Sequence, residues 1–555
     1  MKKLMSIVLA FTMLSPSTAL ASGEAVSDQN EPGKGYFGID ANPMFLNKFT
    51  FSTLSGREIN SKREIENVKN CKSLSDPACS TFNYFKADTL FPLCESATEL
   101  NCIDSLEAFD ADGKKLEVKT GEKFPKVRPK DFVGDINVNL PSGAQAPTFE
   151  IPGAAHAAGA NYIVIINPSG TIDKRASGSG KFQGTMQGGI FAVKTISGSY
   201  RMGGQSENLS DYKSWGANAE NVGIGSGGDW DFGCIINDAT SCAVPQEMPT
   251  GITFSLKIRY NFQVVNWFSG RLNSPNVEIS SISTGGNMLT VTAKPSQVPM
   301  ISRWMKKTDL PSKLIDYYNK LPKPMGGTGD WKASQQSGDP STWSLMRNMT
   351  SFDQAMMNEF LLWLPAIGDK SDYLPTLWTF RSIDYGKQTD ACMQSDSEVI
   401  GIVSTNATAY IDGPPQFNRE SMSIEYKVAA PHLAPNGDVF KGSYDLQVLS
   451  SSARCLYGFS NAPISATIEI VSESGEKQIA VTTVTERNGW LFLSAKGFTF
   501  SSPVVKVKLS QSESKSSLAS TNKVKKEVTI TCVKGKKVQR IFGVKPKCPT
   551  GYKKR

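Results

Sequence analysis

"TFSLKIRYNF", residues 253–262, is the stretch that most clearly indicates how this chain folds. Its apolar side chains occupy alternate positions: Phe254, Leu256, Ile258 and Tyr260. Lys257 and Arg259 lie between them. Successive side chains of an extended chain point to opposite faces, so one face is apolar and the other charged. This pattern is typical of a half-buried strand in an antiparallel sheet.

Similar runs fill residues 135–300 and 397–510, with Gly, Pro, Ser and Asn between them. The second range holds seven short runs separated by turn signals such as "ESGE" and "RNG". This spacing is typical of an antiparallel sandwich of immunoglobulin-like size. Strands and helices do not alternate along the chain, which disfavours a doubly wound α/β fold. We therefore predict a mainly β chain with several antiparallel β-sandwich-like domains.

Residues 301–385 differ in composition from the ranges on either side. We predict that they form a short helical insert rich in tryptophan. Five of the nine tryptophans occur there: Trp304, Trp331, Trp343, Trp363 and Trp378. "DLPSKLIDYYNKL" (309–321) predicts a helix because its proline lies near the start. "TSFDQAMMNEFLLWLP" (350–365) predicts a second helix, capped by Thr350 or Ser351 and ending before Pro365.

Two interpretations of the five tryptophans stay open. Indole rings pack in protein cores, but they also stack on the apolar faces of sugars. Asp330, Asp369 and Asp372 lie close in sequence to Trp331 and Trp363 and are candidates for the carboxylate pair of a glycoside hydrolase. An extracellular carbohydrate-binding or carbohydrate-active protein is therefore the alternative to the function favoured below, and a polysaccharide is a candidate partner.

The N-terminus predicts export. Lysines at positions 2 and 3 precede an apolar stretch over residues 4–14, and "ALA" at 19–21 is the pattern that signal peptidase recognises. The apolar stretch is too short to cross a bilayer core about 30 Å thick. We expect a signal peptide over 1–21, no transmembrane segment, and a secreted protein that is extracellular or associated with the cell surface.

Ten cysteines, an even number, predict disulfides in an exported chain. Pairing by proximity in sequence gives Cys71–Cys79, Cys94–Cys102, Cys234–Cys242, Cys392–Cys455 and Cys532–Cys548. Cross-pairing among the first four stays open, because sequence does not fix connectivity. Zinc is disfavoured, since its ligand pairs are usually two to four residues apart and none of these pairs has that spacing.

Composition divides the chain into seven ranges. They are a signal peptide (1–21), a Cys-rich β/loop region (22–134), a β domain (135–300), the Trp-rich region (301–385), a β-sandwich domain (386–510), a Ser/Lys linker (511–526) and a basic two-cysteine tail (527–555). In the tail, "EVTITCV" and "VQRIFGV" predict a hairpin across "KGKK", and Cys532–Cys548 would staple it. A unit this small cannot bury enough core alone.

The positive charge is concentrated at the C-terminus. Net charge is +8, yet residues 523–555 hold twelve Lys and Arg against one acid, Glu527. The residues between the signal peptide and this segment are mildly acidic. Nine tail residues are candidates for binding an anionic surface: Lys534, Lys536, Lys537, Arg540, Lys545, Lys547, Lys553, Lys554 and Arg555.

These charges predict an anionic cell-envelope polymer or membrane surface as the partner. Nucleic acid is disfavoured, because Phe542 and Tyr552 are the tail's only aromatic residues and give little surface for base stacking. The alternative is a solubilising segment without a fixed partner.

Nothing in the sequence forms a convincing catalytic constellation. The chain has only two histidines, His156 and His432, and no G-x-S-x-G motif. Two histidines also make a His-rich metal centre improbable. We therefore expect a non-enzymatic protein of binding or structural type, without a cofactor or a metal.

"ITCVKGKK…VKPKCPTGYKKR" resembles a short basic, two-cysteine tail found on diverse exported proteins of actinobacterial type. The preceding stretch, from "VSTNATAYIDGPPQF" to "NGWLFLSAKGFTFSSP", resembles the C-terminal β region of uncharacterised secreted proteins from that group. The likeness covers residues 390–555 and brings no catalytic residue with it. It implies a shared role of the tail in surface retention or sorting.

Overall fold

A computed structural model gives the fold of the chain. The residues that the structure describes are 36–41, 52–124, 132–175, 178–198, 235–237, 240–264, 267–283, 285–320, 345–349, 353–383, 390–393, 399–411, 413–461, 463–471, 477–478, 480–500, 504–511, 528–535, 537–543 and 546–555. The predicted signal peptide lies outside them. The chain divides into two compact units, Met1–Gln511 and Ser512–Arg555, called here the body and the tail unit.

The strands are numbered in chain order. The first eleven are β1 (Tyr36–Ala41), β2 (Thr53–Ile59), β3 (Ile65–Asn70), β4 (Tyr84–Asp88), β5 (Cys102–Phe109), β6 (Lys119–Phe124), β7 (Ala146–Glu150), β8 (Asn161–Asp173), β9 (Gln183–Ser197), β10 (Ile236–Asn237) and β11 (Ser241–Gln246). The next eight are β12 (Thr253–Tyr260), β13 (Gln263–Val264), β14 (Trp267–Ser281), β15 (Asn287–Gln297), β16 (Ile301–Lys306), β17 (Leu345–Asn348), β18 (Thr376–Leu377) and β19 (Thr379–Ile383).

The remaining strands of the body are β20 (Gly401–Thr405), β21 (Ala409–Tyr410), β22 (Gln416–Asn418), β23 (Ser423–Ala429), β24 (Lys441–Leu449), β25 (Ile464–Val471), β26 (Lys477–Gln478), β27 (Val481–Arg487), β28 (Trp490–Thr499) and β29 (Val504–Gln511). The tail unit holds β30 (Val528–Lys534), β31 (Lys537–Gly543) and β32 (Lys553–Lys554). The described α-helices are α1 (Ser312–Lys320), α2 (Gln354–Ala366) and α3 (Ser450–Tyr457).

The chain is mainly β, with several antiparallel sheets and short helices, so the predicted fold class is confirmed. The stretch 253–262 contains β12, which pairs antiparallel with β5 on one side and β15 on the other. Its four alternate apolar side chains are buried. Arg259 is ion-paired to Asp104, and Lys257 lies 4.0 Å from Glu107. The period-two pattern therefore identified this strand and its buried face correctly.

Hydrogen bonds between strands join distant parts of the body. Twenty strands belong to one connected network of sheets. Within it β14 pairs with β15, β19 and β20, and β24 lies between β20 and β28. Strand pairing therefore crosses the boundaries predicted at residues 300 and 385, and the predicted domain division stays a prediction.

Two smaller sheets complete the body. One has the order β16-β1-β17, with β1 antiparallel to β16 and parallel to β17. The other has the order β21-β23-β29-β25-β26, with β22 also paired to β23. The apolar faces of the sheets and of α1 and α2 pack into separate hydrophobic cores. The largest of these cores surrounds β12.

Both predicted helices of the Trp-rich region form as α1 and α2, but two details of α2 were wrong. Its N-cap is Asp353, whose Oδ1 accepts a hydrogen bond from the Met356 amide at 2.8 Å, and not Thr350 or Ser351. The helix continues through Pro365 to Ala366. Proline lacks an amide hydrogen and cannot continue the helical hydrogen bonding, and α2 ends one residue later.

The predicted disulfides are confirmed for four pairs: Cys71–Cys79, Cys94–Cys102, Cys392–Cys455 and Cys532–Cys548. Cys242 is also disulfide-bonded, while Cys234, its predicted partner, lies outside the described residues. The short loops of the first two pairs pin irregular segments of the Cys-rich region, which contains several of the short strands.

Candidate functional site

The tail unit folds as a three-stranded sheet, called here the tail sheet, in which β30 lies between β31 and β32. Both neighbours run antiparallel to β30. Cys532 in β30 is fully buried and bonded to Cys548, and Ile530 is also buried. The predicted hairpin and its staple are thus present, and β32 is an additional strand. The disulfide supports a core too small to hold the sheet alone.

The tail sheet exposes most of its basic side chains. Those that the structure describes as exposed are Lys534, Lys537, Lys547, Lys553, Lys554 and Arg555. Lys536, Lys545 and the side chain of Arg540 lie outside the described part of the chain. Six of the nine predicted binding residues are therefore displayed to solvent by one small, stapled scaffold.

The register of the tail sheet brings like charges together. Lys534 in β30 lies directly opposite Lys537 in β31. The sequence contains no acidic residue after Glu527, so no side-chain carboxylate of the sheet compensates these charges. Like charges directly opposite each other destabilise a strand pair by up to about 1 kcal/mol. A bound anion would relieve this repulsion.

A cleft in the body, lined by both polar and apolar residues, is a second candidate site, with a cavity volume of about 790 Å³. Segments that are far apart in sequence form its walls. They are 295–297, 372–374, 434–436 and 438–443, together with Glu247, Thr250, Asn273, Asn406, Lys496 and Gly497. The volume falls within the roughly 300–1,000 Å³ that is usual for ligand sites.

One wall of the cleft is a turn held in place by its own backbone. The Ala434 amide donates to the Asp438 carbonyl at 2.8 Å, and the Gly437 amide donates to the Ala434 carbonyl at 2.9 Å. Gly437 has a φ of +92°, which favours glycine. The Asn436 side chain accepts from the Asp438 amide at 3.0 Å. The wall is therefore pre-formed, as "NG" turns generally are.

Asn406 satisfies the backbone along another part of the cleft. Its Nδ2 donates to the Lys441 carbonyl at 2.9 Å, and its Oδ1 accepts from the Ser443 amide at 2.7 Å. The side-chain amide thus takes the place of a neighbouring strand at the start of β24. The ladder between β20 and β24 ends one residue earlier, at Thr405.

A β-bulge in β14 positions Asn273 at the cleft. The register with β15 shifts between Asn273 and Asn276, and Ser274 has a φ of +54°. The buried Asp445 of β24 accepts from the Ser274 amide at 3.3 Å. Lys496 of β28 donates to Asn273 Oδ1 at 2.8 Å. Burial raises the pKa of Asp445, and Lys496 and hydrogen bonds partly offset this.

Charges of both signs line the cleft. Glu247 has no hydrogen-bond partner among the described residues, and partial burial raises the pKa of its carboxyl. Asp372 is neutralised by Arg303, whose Nε lies 2.5 Å from its Oδ1. Lys441 is exposed and makes no ion pair within the described part of the body. The cleft therefore offers separate donors and acceptors without a dominant charge.

Two predicted tryptophan sites lie in the cores of the body. Trp363 and Trp378 are fully buried. The Trp363 Nε1 donates to the Tyr318 hydroxyl at 2.9 Å, and the Trp378 Nε1 donates to the Ala293 carbonyl at 3.0 Å. A sugar therefore cannot reach either indole face in this structure.

Of the other three tryptophans, Trp304 alone lies among the residues that the structure describes. Trp304 lies in β16 with its Nε1 buried and without a hydrogen-bond partner among the described residues. Trp331 and Trp343 lie outside the residues that the structure describes, as does Asp330. Asp369 Oδ1 accepts from the His432 amide at 2.9 Å, and Asp372 is held by Arg303.

No protein-family model, curated protein or solved structure matches the chain.

His156 has a local structural role. Its Nε2 donates to the Asn161 carbonyl at 3.0 Å, and its Nδ1 accepts from the Ala158 amide at 3.3 Å. Burial lowers the pKa of this imidazole. Among the described residues no group of three or more His, Cys, Asp or Glu side chains is arranged to hold a metal ion. Nor do the described helices include one long and apolar enough to cross a membrane.

Sequence reasoning identified the tail but missed the cleft. The "PNGD" turn at 435–438 was a visible signal for one wall. Its partners Glu247, Asn273 and Lys496 are distant in sequence, and no local pattern associates them with this turn.

Proposed function

We propose that this chain is an exported protein of binding or structural type, held at an anionic cell-envelope surface by its basic tail. The observation that carries the proposal is the tail sheet, which exposes six basic side chains and has no acidic side chain. The likeness of this tail to those of exported actinobacterial-type proteins belongs to the same proposal. Four disulfides are compatible with folding in an oxidising compartment.

The electrostatic attraction between six basic side chains and an anionic surface is strong enough for reversible attachment. A basic residue near an anionic membrane surface contributes about 1 kcal/mol. Six such residues give on the order of 6 kcal/mol, which corresponds to a Kd of tens of micromolar. These interactions are exposed to solvent, so salt screens them strongly.

The direct test is sedimentation with purified cell envelopes at low and high ionic strength. Full-length protein is compared with a version that ends at Asn522. We expect only the full-length protein to sediment, and salt to release it. Equal sedimentation of both versions would refute attachment through the tail.

Two variants with the same change in net charge distinguish the effect of the tail's charge from that of the charge of the whole protein. One replaces four tail lysines by glutamine: Lys534, Lys537, Lys553 and Lys554. The other replaces four exposed lysines of the body: Lys62, Lys114, Lys181 and Lys194. We expect the tail variant to lose envelope binding and the body variant to keep it. Parallel assays on anionic phospholipid vesicles and on lipid-extracted walls distinguish the two sources of negative charge.

A further inference from the structure

We propose that the cleft of the body binds a neutral carbohydrate chain. This function does not require the tail and does not use the predicted tryptophans. The cleft combines hydrogen-bonding side chains with a comparable amount of apolar surface in a volume of about 790 Å³. Sugars present the same combination, with hydroxyl groups at their edges and C–H groups on their faces.

The free side-chain groups of the cleft match hydroxyl chemistry. A hydroxyl donates one hydrogen bond and accepts others, so it can bind a carboxylate and an ammonium or amide group at once. Glu247 supplies an acceptor, and Lys441 supplies donors. Asn273 keeps its NH₂ group available, because its Oδ1 is the atom that accepts from Lys496.

The charge balance favours a neutral ligand. Three carboxylates line the cleft, from Glu247, Asp372 and Asp438. Lys441 and Lys496 line it as well, and Arg303 neutralises Asp372. An anionic or a cationic ligand would meet like charge on at least one wall. Such a mixed site discriminates against both kinds of charged ligand.

The backbone of the cleft argues against a peptide as the ligand. Extended peptides commonly bind by adding a strand to an open sheet edge. At the start of β24 that position is already taken, because Asn406 binds both the Lys441 carbonyl and the Ser443 amide. At this edge of the cleft, recognition therefore comes from side chains.

Exposed apolar side chains lie beside the polar groups of the cleft. Val439 is 43% exposed on the turn, and Tyr373 is partly exposed. Aromatic and aliphatic groups of this kind contact the C–H faces of sugar rings. The turn that carries Val439 is pre-formed, so little conformational entropy is lost on binding.

The test uses full-length protein and three soluble probes: cellohexaose, maltohexaose and chitohexaose. Calorimetric titration at low and high salt is expected to give saturable binding of at least one probe. Because the probe is neutral, salt should leave its Kd unchanged, in contrast to the attachment of the tail. Absence of saturable binding for all three probes would overturn the proposal.

Variants then locate the site. Glu247→Gln and Lys441→Gln are each expected to weaken binding about tenfold, since each removes a hydrogen bond from a charged group. The controls Glu420→Gln and Lys62→Gln change exposed residues that do not line the cleft. Equal affinity of all four variants would refute the assignment, as would binding of a Gly/Ser hexapeptide that depends on Glu247.

Hydroxyl-radical footprinting of the unmodified protein gives a readout that does not rely on any variant folding correctly. We expect the bound probe to protect Tyr373 and Val439 from labelling. Protection elsewhere with none at these two residues would place the sugar outside the cleft and overturn the proposal.

Discussion

Lys534 and Lys537 lie directly opposite each other across the tail hairpin. Facing lysines repel, and no acidic side chain follows Glu527 in the sequence to compensate them. The hairpin is therefore less stable than one with an opposite-charge pair at this position. The proposed attachment to an anionic surface gives this repulsion a functional reason.

Replacing Lys537 by glutamate tests this relationship. Lys537→Glu turns the repulsion into an attraction, and we expect it to stabilise the tail hairpin by about 0.5 kcal/mol. The same change should weaken sedimentation with envelopes, because it lowers the charge of the tail by two. Amide exchange of β30 measures the first effect. Lys62→Glu is the control for total charge, and a Lys537→Glu protein that sediments like the parent would contradict the proposal.

Removing the tail disulfide should unfold the tail alone. Cys532 and Cys548 are 16 residues apart in sequence, and closing a loop of about this size stabilises a fold by roughly 3 kcal/mol. We expect the double variant Cys532→Ser/Cys548→Ser to lose the protease-resistant fragment 527–555, detected by mass spectrometry after brief trypsin treatment. The variant Cys71→Ser/Cys79→Ser should keep that fragment. If the fragment survives without the tail disulfide, the strands alone are sufficient to keep the tail unit folded.

The fold was predictable wherever a local pattern determines structure. The period of two in 253–262 identified β12, because one face of that strand is buried. Proximity in sequence predicted the pairs Cys71–Cys79 and Cys94–Cys102, but only the structure excludes cross-pairing among these four cysteines. Helix α3 (Ser450–Tyr457) was missed, since "SYDLQVLSSS" looks like a strand as far as Leu449, where β24 ends.

The cleft was not predictable, because its geometry depends on strand order. Asn273 and Lys496 meet only because β14 pairs with β20, β20 with β24, and β24 with β28. The burial of Trp363 and Trp378 depends in the same way on tertiary packing. Single-sequence patterns do not determine which distant strands become neighbours.

A buried ion pair between Glu359 of α2 and Arg347 of β17 should be among the most sensitive points of the body. Arg347 Nε and Nη2 lie 2.7 and 2.8 Å from the two carboxylate oxygens of Glu359, which is only 1% exposed. Tyr318 also donates to Glu359, at 2.6 Å. Glu359→Gln leaves the Arg347 charge without its partner, and we expect a loss of about 3–5 kcal/mol in urea unfolding.

The exposed pair Lys115–Glu107 provides the comparison for this prediction. Glu107→Gln should cost less than about 1 kcal/mol, because solvent screens that pair. Replacing both buried partners, in Arg347→Met/Glu359→Leu, should cost less than Glu359→Gln alone. If Glu359→Gln is as stable as the parent protein, water reaches the buried pair.

Asp40 in β1 should make the body more stable when it is protonated. Burial raises the pKa of its carboxyl to about 6, and a hydrogen bond from Ser302 offsets this only partly. The unfolded value is about 3.9, so the folded state binds the proton more tightly and stability falls as pH rises from about 4 through 6. Asp40→Asn mimics the protonated form. In urea unfolding we expect this variant to exceed the parent by about 2–3 kcal/mol at pH 7, with the difference vanishing near pH 4. Equal stability of the two proteins at pH 7 would mean that Asp40 is better solvated than its position indicates.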